Sequence, residues 1–436
     1  MRLVMAFLCV CACGGNDAAP IDGPAGDDDA TTDTDAPMPS GPVTVRVLDD
    51  GVAIPDVAVV LHANDGTALA ELSTDGNGEV SIDDPPSGAM VTVLRESTQG
   101  ARFQLSTVVG IEPGDSILIG TPGAPNEPTT QVRVTFPGAF PNADSYIGDL
   151  GCSGLSGVVN PGSIVTRDVG VSCLGDDDDF DVLAFAREGT TLRAFAAVHD
   201  VPQAASGPTD LVVSDWQPAE TRTFGFVNLP NDVTQTDIDV RFAMDEIGQQ
   251  PAQPASGAAV IVPPSSLVEG WYVRSIIRTV SGAETRMWSR RQVLPASTPD
   301  PVELDFTTYG PQFDSMDLDT TTPSRPTTSW TTSAPIASLD AIAVQLVWTD
   351  PQIHSWTLIV PANATTVTAP ALPTSAAAFL PTASVDYLRA ITFAFSFAGN
   401  GGYAGFRNDQ PFELGNLMLR AVRQEAQMLF YQRTSP

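Results

Sequence analysis

Apolar and polar residues alternate along short segments of the chain from residue 43 onward. The pattern is clear in residues 43–47, 131–136 and 237–242. Alternation with a period of two predicts half-buried β-strands. Turn residues separate these segments, and the 37 Pro and 36 Gly residues argue against long helices. The sequence therefore predicts an all-β fold of tandem β-sandwich modules.

Residues 412–432 are compatible with either a helix or strands. Leu414, Leu417 and Met418 have the spacing of one helix face. Residues 428–431, in contrast, form a short apolar and aromatic run that is typical of a strand. We expect a strand at 428–431, and the sequence leaves the middle of the segment open.

The first 41 residues differ in composition from the rest of the chain. Residues 1–10 are an apolar run behind Arg2, which is typical of an export signal and too short for a membrane helix of roughly 20 residues. Residues 14–41 hold seven Asp and no basic residue, and this composition predicts a disordered acidic tether. The alternatives are a start upstream of residue 1 and a cytosolic protein with an apolar N-terminus.

The sequence Val10-Cys11-Ala12-Cys13 resembles the end of a bacterial lipoprotein signal. This resemblance implies a signal peptide at 1–12, a lipidated Cys13, and a tether at 13–41 that joins the folded part to the membrane. Gly14 follows the cysteine, and by the same resemblance it points to the outer membrane, at its periplasmic face or the cell surface. The Asp-, Pro- and Ala-rich tether is similar to those of myxobacterial-type lipoproteins.

The charge of the chain narrows its possible partners. The net charge is −31, and all 21 basic residues are Arg. A body this acidic repels nucleic acid and anionic membrane surfaces, so we expect no nucleic-acid partner. The length of 436 residues is sufficient for three or four modules of ordinary size.

Residues 42–125 contain a strand–turn–strand motif made by Thr74, Asp75, Gly78 and Val80. Glycine permits the positive φ that such a turn needs, and the apolar residue after it resumes the inward face. The motif and its flanking strands resemble the carboxypeptidase regulatory-like domain, a transthyretin-like sandwich of seven strands. The resemblance implies a fold and an accessory role, without catalytic residues.

Three further modules are expected after residue 125. We place β-rich modules at 126–215 and 216–305, a linker at 306–321, and a last module at 322–436. In the last module Trp330, Trp348 and Trp356 lie in successive predicted strands followed by a Pro-rich segment. This order loosely resembles fibronectin type III-like modules, so the expected architecture is tandem Ig-like and transthyretin-like sandwiches.

Two cysteines lie outside the signal. Cys152 and Cys173 flank a loop containing Gly, Ser and Pro. In an exported chain an isolated pair indicates a disulfide, which we expect here. Two buried free thiols are the alternative.

The sequence contains no recognised catalytic motif. The three histidines, His62, His199 and His354, fall in three different expected modules, so we expect no metal centre built from them. Neither H-E-x-x-H nor G-x-S-x-G occurs. We therefore expect a non-catalytic binding, adhesion or scaffold protein. The alternative is an envelope hydrolase, acting on polysaccharide or peptide through an unrecognised carboxylate pair.

Three acidic clusters are candidate calcium-binding sites. Residues 176–181, residues 75–79 and the group Asp314, Asp317 and Asp319 are rich in potential oxygen ligands. None has the full twelve-residue calcium-loop pattern. We interpret them as solvated charge and expect no cofactor, with calcium as the alternative.

The most suggestive binding feature is an Arg- and aromatic-rich hairpin at residues 270–293. Guanidinium groups and aromatic rings bind sugars or anionic polymers through bidentate hydrogen bonds and stacking. Polysaccharide or an envelope protein is therefore the expected partner, whereas a sheet face whose Arg residues pair with nearby acids is the alternative. The candidate binding residues are Tyr272, Arg274, Arg278, Arg286, Trp288 and Arg290.

Overall fold

The prediction of an all-β fold is confirmed. Within the described residues the computed structural model contains 29 strands, two 3-10 helices and one α-helix. No helix in this part of the chain is long and apolar enough to cross a membrane. The structure describes residues 41–49, 51–96, 103–121, 129–136, 140–150, 154–159, 162–170, 174, 179–243, 259–336, 338–349, 352–383, 387–397, 401–409 and 426–434. Cys13, Cys152 and Cys173 lie outside these ranges.

The first sandwich packs two sheets around alternating valines. Strands β1, β2, β5 and β8 form one sheet, with β8 parallel to β1, and β4-β3-β6-β7 form the other. Val45, Val59 and Val91 meet between them and are fully buried. The strands are β1 (Val43–Asp49), β2 (Val52–Ala53), β3 (Ala58–His62), β4 (Ala68–Ser73), β5 (Glu79–Ile82), β6 (Ala89–Glu96), β7 (Phe103–Ile111) and β8 (Ser116–Gly120).

The turn motif of this sandwich has a direct structural basis. Asp75 Oδ1 accepts hydrogen bonds from the backbone N–H groups of Asn77 (2.8 Å) and Glu79 (3.0 Å). These bonds hold the pKa of Asp75 below its usual range. Gly78 has φ of +71°, and a Cβ there would lie 2.6 Å from the Val47 carbonyl oxygen. The position therefore requires glycine.

The second sandwich has sheets β12-β9-β15 and β11-β10-β13-β14-β16. Phe136, Tyr146 and Phe180 fill its core with aromatic surface. Its strands are β9 (Thr129–Thr135), β10 (Ser145–Asp149), β11 (Gly154–Val159), β12 (Ile164–Gly170), β13 (Asp179–Glu188), β14 (Thr191–Pro202), β15 (Thr209–Val212) and β16 (Gln217–Pro218).

The third sandwich packs sheet β19-β17-β22 against strands β18, β20 and β21. Phe224 and Trp271 meet edge to face in its core, with ring centroids 6.1 Å apart. Phe185 and Phe195 of the second sandwich join the same cluster, so the two cores are in contact. The strands are β17 (Glu220–Val227), β18 (Gln235–Ala243), β19 (Ala259–Val262), β20 (Gly270–Ser281), β21 (Glu284–Pro295) and β22 (Val302–Asp305).

The last sandwich packs sheet β23-β24-β27 against β25, β26, β28 and β29. The buried Trp330, Trp348 and Trp356 share its core. Residues 306–321, expected as a linker, hold a 3-10 helix (Phe306–Tyr309) and β23. The elements are β23 (Phe313–Asp319), β24 (Thr327–Thr332), β25 (Ala341–Thr349), β26 (Ile353–Pro361), β27 (Thr366–Thr368), a 3-10 helix (Thr374–Phe379), β28 (Tyr387–Phe397), α1 (Tyr403–Asp409) and β29 (Ala426–Thr434).

One continuous sheet runs through three of these sandwiches. Its eleven strands follow the order β18-β20-β21-β29-β28-β25-β26-β7-β6-β3-β4. Strand β29 lies between β21 of the third sandwich and β28 of the fourth, and β26 pairs in parallel with β7 of the first. The strand expected at residues 428–431 is confirmed as part of β29. Backbone hydrogen bonds therefore join these sandwiches directly, while the expected module boundaries stay predictions.

A buried chain of polar side chains crosses the junction between β7 and β26. His62 Nε2 lies 2.9 Å from the Thr92 hydroxyl, which lies 2.8 Å from the Thr107 hydroxyl. The indole N–H of Trp356 donates to Thr107 Oγ1 at 2.8 Å. All four residues are buried, and these hydrogen bonds compensate for the removal from water of their polar side-chain atoms other than His62 Nδ1. We call this group the polar chain.

A second set of contacts, the α1 clamp, fixes helix α1 to the first sandwich. Arg407 Nε lies 3.1 Å from Asp115 Oδ2, and both side chains are less than 10% exposed (9% and 7%). Asn408 Nδ2 donates to Asp115 Oδ1 at 3.2 Å, and Arg407 Nη1 donates to the Gly110 carbonyl. The Tyr403 hydroxyl donates to the Val109 carbonyl at 2.6 Å. The α1 clamp is therefore a charged contact removed from solvent screening.

Candidate functional site

The Arg- and aromatic-rich segment forms the expected hairpin. Strands β20 and β21 pair in antiparallel register from Gly270↔Pro295 to Ser281↔Glu284. The two-residue turn between the strands contains Gly282, whose φ is +59°. Glycine suits this turn because two-residue hairpin loops use positive φ values.

The six candidate binding residues do not form one surface. In this register the even-numbered residues of β20 lie opposite odd-numbered residues of β21, and directly opposite residues share a sheet face. Alternate residues of a strand point to the same side of the sheet, so Tyr272, Arg274 and Arg278 share one face of β20. One face therefore carries Tyr272, Arg274 and Arg278, and the other carries Arg286, Trp288 and Arg290.

Two residues of the second face are used in packing. Trp288 is 2% exposed and meets the ring of Phe306 edge to face, with centroids 5.6 Å apart. Arg290 Nη1 donates to the Thr308 carbonyl at 3.0 Å and to its hydroxyl at 2.5 Å. These contacts hold the 3-10 helix at Phe306–Tyr309 against the sheet.

The first face contains a row of charged residues that extends across three strands. Asp239 of β18 lies opposite Arg274, and Arg274 lies opposite Arg291 of β21. Asp239 and Arg291 are buried (1% and 5% exposed), and Arg274 Nε donates to Ser289 Oγ at 3.3 Å. The Arg291 guanidinium lies 4.2 Å from the Tyr272 ring centroid. Sequence reasoning did not select Asp239 or Arg291, although the turn length would have placed Arg291 on this face.

Arg278 lies nearer the turn on the same face. It is partly exposed, and its Nη1 lies 3.5 Å from Gln235 Oε1 on the edge strand β18. The first face is therefore a mixed surface of buried charge and partly exposed guanidinium groups. Such a surface stabilises the hairpin and offers limited free charge to a ligand.

A depression lies at the tip of the hairpin in the third sandwich. Its volume is about 290 Å³. We call it the tip depression, and Arg286 is the one candidate binding residue among those that line it. The lining residues are Asp232, Thr279, Val280, Ser281, Glu284 and Arg286.

A carboxylate, a guanidinium and a phenol lie close together beside the tip depression. Arg286 Nη2 lies 3.8 Å from Glu284 Oε2, and the Arg286 guanidinium lies 5.7 Å from the Tyr431 ring centroid. Burial, and after it the neighbouring Glu284 carboxylate, raise the pKa of Tyr431 to about 12. Tyr431 is therefore a neutral phenol at neutral pH, with a hydroxyl group suited to hydrogen bonding.

The three histidines lie in separate surroundings. His62 belongs to the polar chain, and His354 Nδ1 accepts a hydrogen bond from the backbone N–H of Phe103 at 3.1 Å. His199 Nδ1 lies 3.3 Å from Asp181 Oδ1 at an exposed position. The described residues contain no group of three or more His, Cys, Asp or Glu side chains arranged to hold a metal ion.

Several acids of the three acidic clusters have protein partners. Asp319 Oδ1 accepts from the backbone N–H of Thr321 at 2.9 Å, and Asp317 lies 3.4 Å from Arg433 Nη1. Asp75 caps its own turn. Of residues 176–181, the first three lie outside the described ranges.

Comparison with known proteins leaves the family open. No protein-family model matches the chain, and no curated protein matches it. Among solved structures, the Bacillus anthracis TIE protein is similar at 8% identity and a TM-score of 0.15. The match covers 61% of this chain and 49% of the TIE protein chain. This chain thus spans about half the length of that one. The FN1–FN3 domains of chicken CNTN1 are similar at 8% identity and a TM-score of 0.14, covering 70% and 89%. Scores this low carry no argument about function.

Proposed function

We propose that the protein is a lipid-anchored envelope protein with a non-catalytic role in binding, adhesion or scaffolding. One observation carries this proposal: an eleven-stranded sheet runs through three sandwiches and fixes them relative to one another. Sandwiches joined by backbone hydrogen bonds hold a binding surface at a constant distance and orientation relative to the rest of the protein. Such rigidity suits a protein that presents a surface to a large partner, because little ordering entropy is lost on binding.

The first sandwich is the membrane-proximal part in this proposal. We assign residues 42–125 to a carboxypeptidase regulatory-like module, supported by the two facing sheets and by the glycine turn at Gly78. Its role is accessory, since it joins the tether at 13–41 to the remaining sandwiches. The partners are the outer membrane, through the lipid, and an envelope polysaccharide or protein, while the negative net charge argues against nucleic acid.

The anchoring part of the proposal predicts lipidation at Cys13. Cells that express the full chain and are fed a labelled fatty acid are expected to yield labelled protein in the outer-membrane fraction. Cys13→Ser should lose the label and leave the membrane fraction, because a serine hydroxyl does not replace the thiol that carries the lipid. Cys11→Ser is the matched control and should stay labelled. Equal labelling of wild type and Cys13→Ser would overturn the assignment.

The binding part predicts that purified protein sediments with insoluble envelope polysaccharide prepared from the same cells. A reducing-end assay on the same mixture tests the alternative of an envelope hydrolase. Sedimentation without new reducing ends would support a binding role. Absence of sedimentation would overturn the assignment to polysaccharide, and new reducing ends would replace it with a hydrolase.

A further inference from the structure

The proposed tether joins the first sandwich at the start of strand β1. Strand β1 pairs in parallel with β8, from Thr44↔Ser116 to Leu48↔Gly120, and we call these two strands the β1–β8 pair. Because the strands are parallel, both begin at the same end of the sandwich. The chain enters β1 at this end and leaves β8 for the second sandwich at the opposite end. A force between the tether and the rest of the protein therefore acts along the two strands in opposite directions.

Such a force loads the hydrogen bonds of the β1–β8 pair together. Bonds in parallel pairing are evenly spaced along the strands, so a pull along the strand axis acts on all of them at once. Further backbone bonds lie beyond both ends of the pair: Gly114 donates to the Gly41 carbonyl at 3.1 Å, and Gly51 donates to the Thr121 carbonyl at 2.9 Å. A pull across the strands would break these bonds one after another, and it therefore meets less resistance.

The side chains of β1 also oppose sliding. Val43, Val45 and Val47 are fully buried, each with an exposed fraction of 0%. Strand β5 pairs with β1 over residues 43–46, so β1 has hydrogen-bonded partners besides β8. A shift of β1 by one residue would turn the three valines out of the core, because side chains alternate between the two faces of a strand. Sliding therefore requires apolar surface to be exposed to water.

Strand β8 is held in place at its start by the α1 clamp. Asp115, the residue before β8, belongs to the buried ion pair of that clamp. The N–H of Ser116, the first residue of β8, donates to Asn408 Oδ1 at 2.8 Å. The Tyr403 hydroxyl of the same helix lies 3.1 Å from the Ile359 carbonyl oxygen on β26. A load on β8 is therefore passed to α1 and to the eleven-stranded sheet, so β8 is kept from moving with β1.

We propose that the β1–β8 pair is a load-bearing element, which keeps the first sandwich folded when force reaches it through the tether. The proposal rests on the lipid anchor proposed above and adds a mechanical function to it. An anchored binding protein passes to its anchor the force that a bound partner exerts. Forced unfolding is governed by the unfolding rate, so the protein needs a high barrier along this one direction.

Magnetic tweezers that hold the full chain at constant force test the direction of the resistance. One handle is attached at Ala30 in the tether and the other at the exposed Thr129, at the start of β9. In a second arrangement the tether handle is moved to Val52, which is 67% exposed and lies at the end of β1 where the chain leaves β8. The second arrangement pulls β1 away from β8 beginning at one end.

We expect the folded first sandwich to last at least about tenfold longer at the same force when that force enters through the tether. The step in extension identifies the unfolding event, because its length corresponds to the residues between the two handles. Equal lifetimes in the two arrangements, or a shorter lifetime when the tether is pulled, would overturn the proposal.

Two valine truncations test which contacts bear the load. Val45→Ala removes two methyl groups from β1, and Val60→Ala removes them from β3, on the face directed toward the fourth sandwich and away from β1. Both valines are buried (0% and 1% exposed), so both variants should lose similar stability in urea. Under force through the tether, Val45→Ala should shorten the lifetime about tenfold and Val60→Ala less than about threefold, because contacts that are intact at the transition state affect the unfolding rate little. Equal shortening would show that the resistance follows general stability, which contradicts the proposal.

Two outcomes separate the mechanical function from the anchor. If Cys13 is labelled by the fatty acid and the two handle arrangements give equal lifetimes, the anchor stands and the load-bearing proposal alone fails. If wild type and Cys13→Ser are labelled equally, the anchor fails, and with it the source of the load.

Discussion

Replacing Asp115 with Asn is expected to destabilise the protein by about 3–5 kcal/mol, because it leaves the buried Arg407 charge uncompensated. The two side chains are 7% and 9% exposed, with Nε and Oδ2 3.1 Å apart. The substitution preserves shape, so the expected loss arises from the charge and from one lost acceptor, since both Asp115 oxygens accept hydrogen bonds. Urea unfolding measures the change in free energy, and hydrogen exchange at α1 shows whether the α1 clamp opens first.

An exposed ion pair provides the control for this prediction. Arg193 Nη2 lies 2.5 Å from Glu188 Oε2, and both side chains are 47% exposed. Water screens this pair, so Glu188→Gln should change the stability by less than about 1 kcal/mol. A loss of similar size in both variants would show that the α1 clamp contributes no more than a surface contact.

Acid is expected to weaken the fold through His62. Burial, with a further contribution from the Arg325 guanidinium, lowers the pKa of His62 from 6.5 to about 4. The unfolded chain therefore takes up a proton below pH 6.5 that the folded chain does not take up until about pH 4. Stability falls as the pH decreases through this window, by about 3 kcal/mol in total.

The measurement compares the free energy of unfolding at pH 7 and pH 4 in wild type and His62→Gln. The variant should lose about 3 kcal/mol less than wild type between these values, since glutamine does not titrate. Carboxylates that titrate in the same window act equally in both proteins and cancel in the difference. Parallel pH profiles for wild type and His62→Gln would contradict the prediction.

Local patterns in the sequence predicted much of the fold. Alternation at residues 43–47, 131–136 and 237–242 corresponds to strands β1, β9 and β18, because period two is a property of one strand and its two faces. The tryptophans Trp330, Trp348 and Trp356, expected in one module, share one core. The hydrophobic period predicts where the strands lie, and the residue type predicts which side chains enter the core.

The pairing of distant strands could not be predicted in the same way. The parallel contact of β7 with β26 depends on both sheets presenting compatible edges, which no local pattern encodes. The division of the six candidate residues between two sheet faces has a related reason. The face on which Trp288 and Arg290 lie depends on the number of residues in the turn, and a shift of one residue reverses every side chain of a strand.

The partnership of β7 with β26 also has a consequence for folding kinetics. Thr107 and Trp356, which are hydrogen-bonded across it, are 249 positions apart in the chain. During synthesis the edge of β7 stays unpaired until β26 has been made, and an open strand edge is prone to pair with other chains. Contacts this distant slow the search for the native state. The folded sheet is rigid, but between the synthesis of β7 and that of β26 the nascent chain has an open strand edge and depends on protection from aggregation.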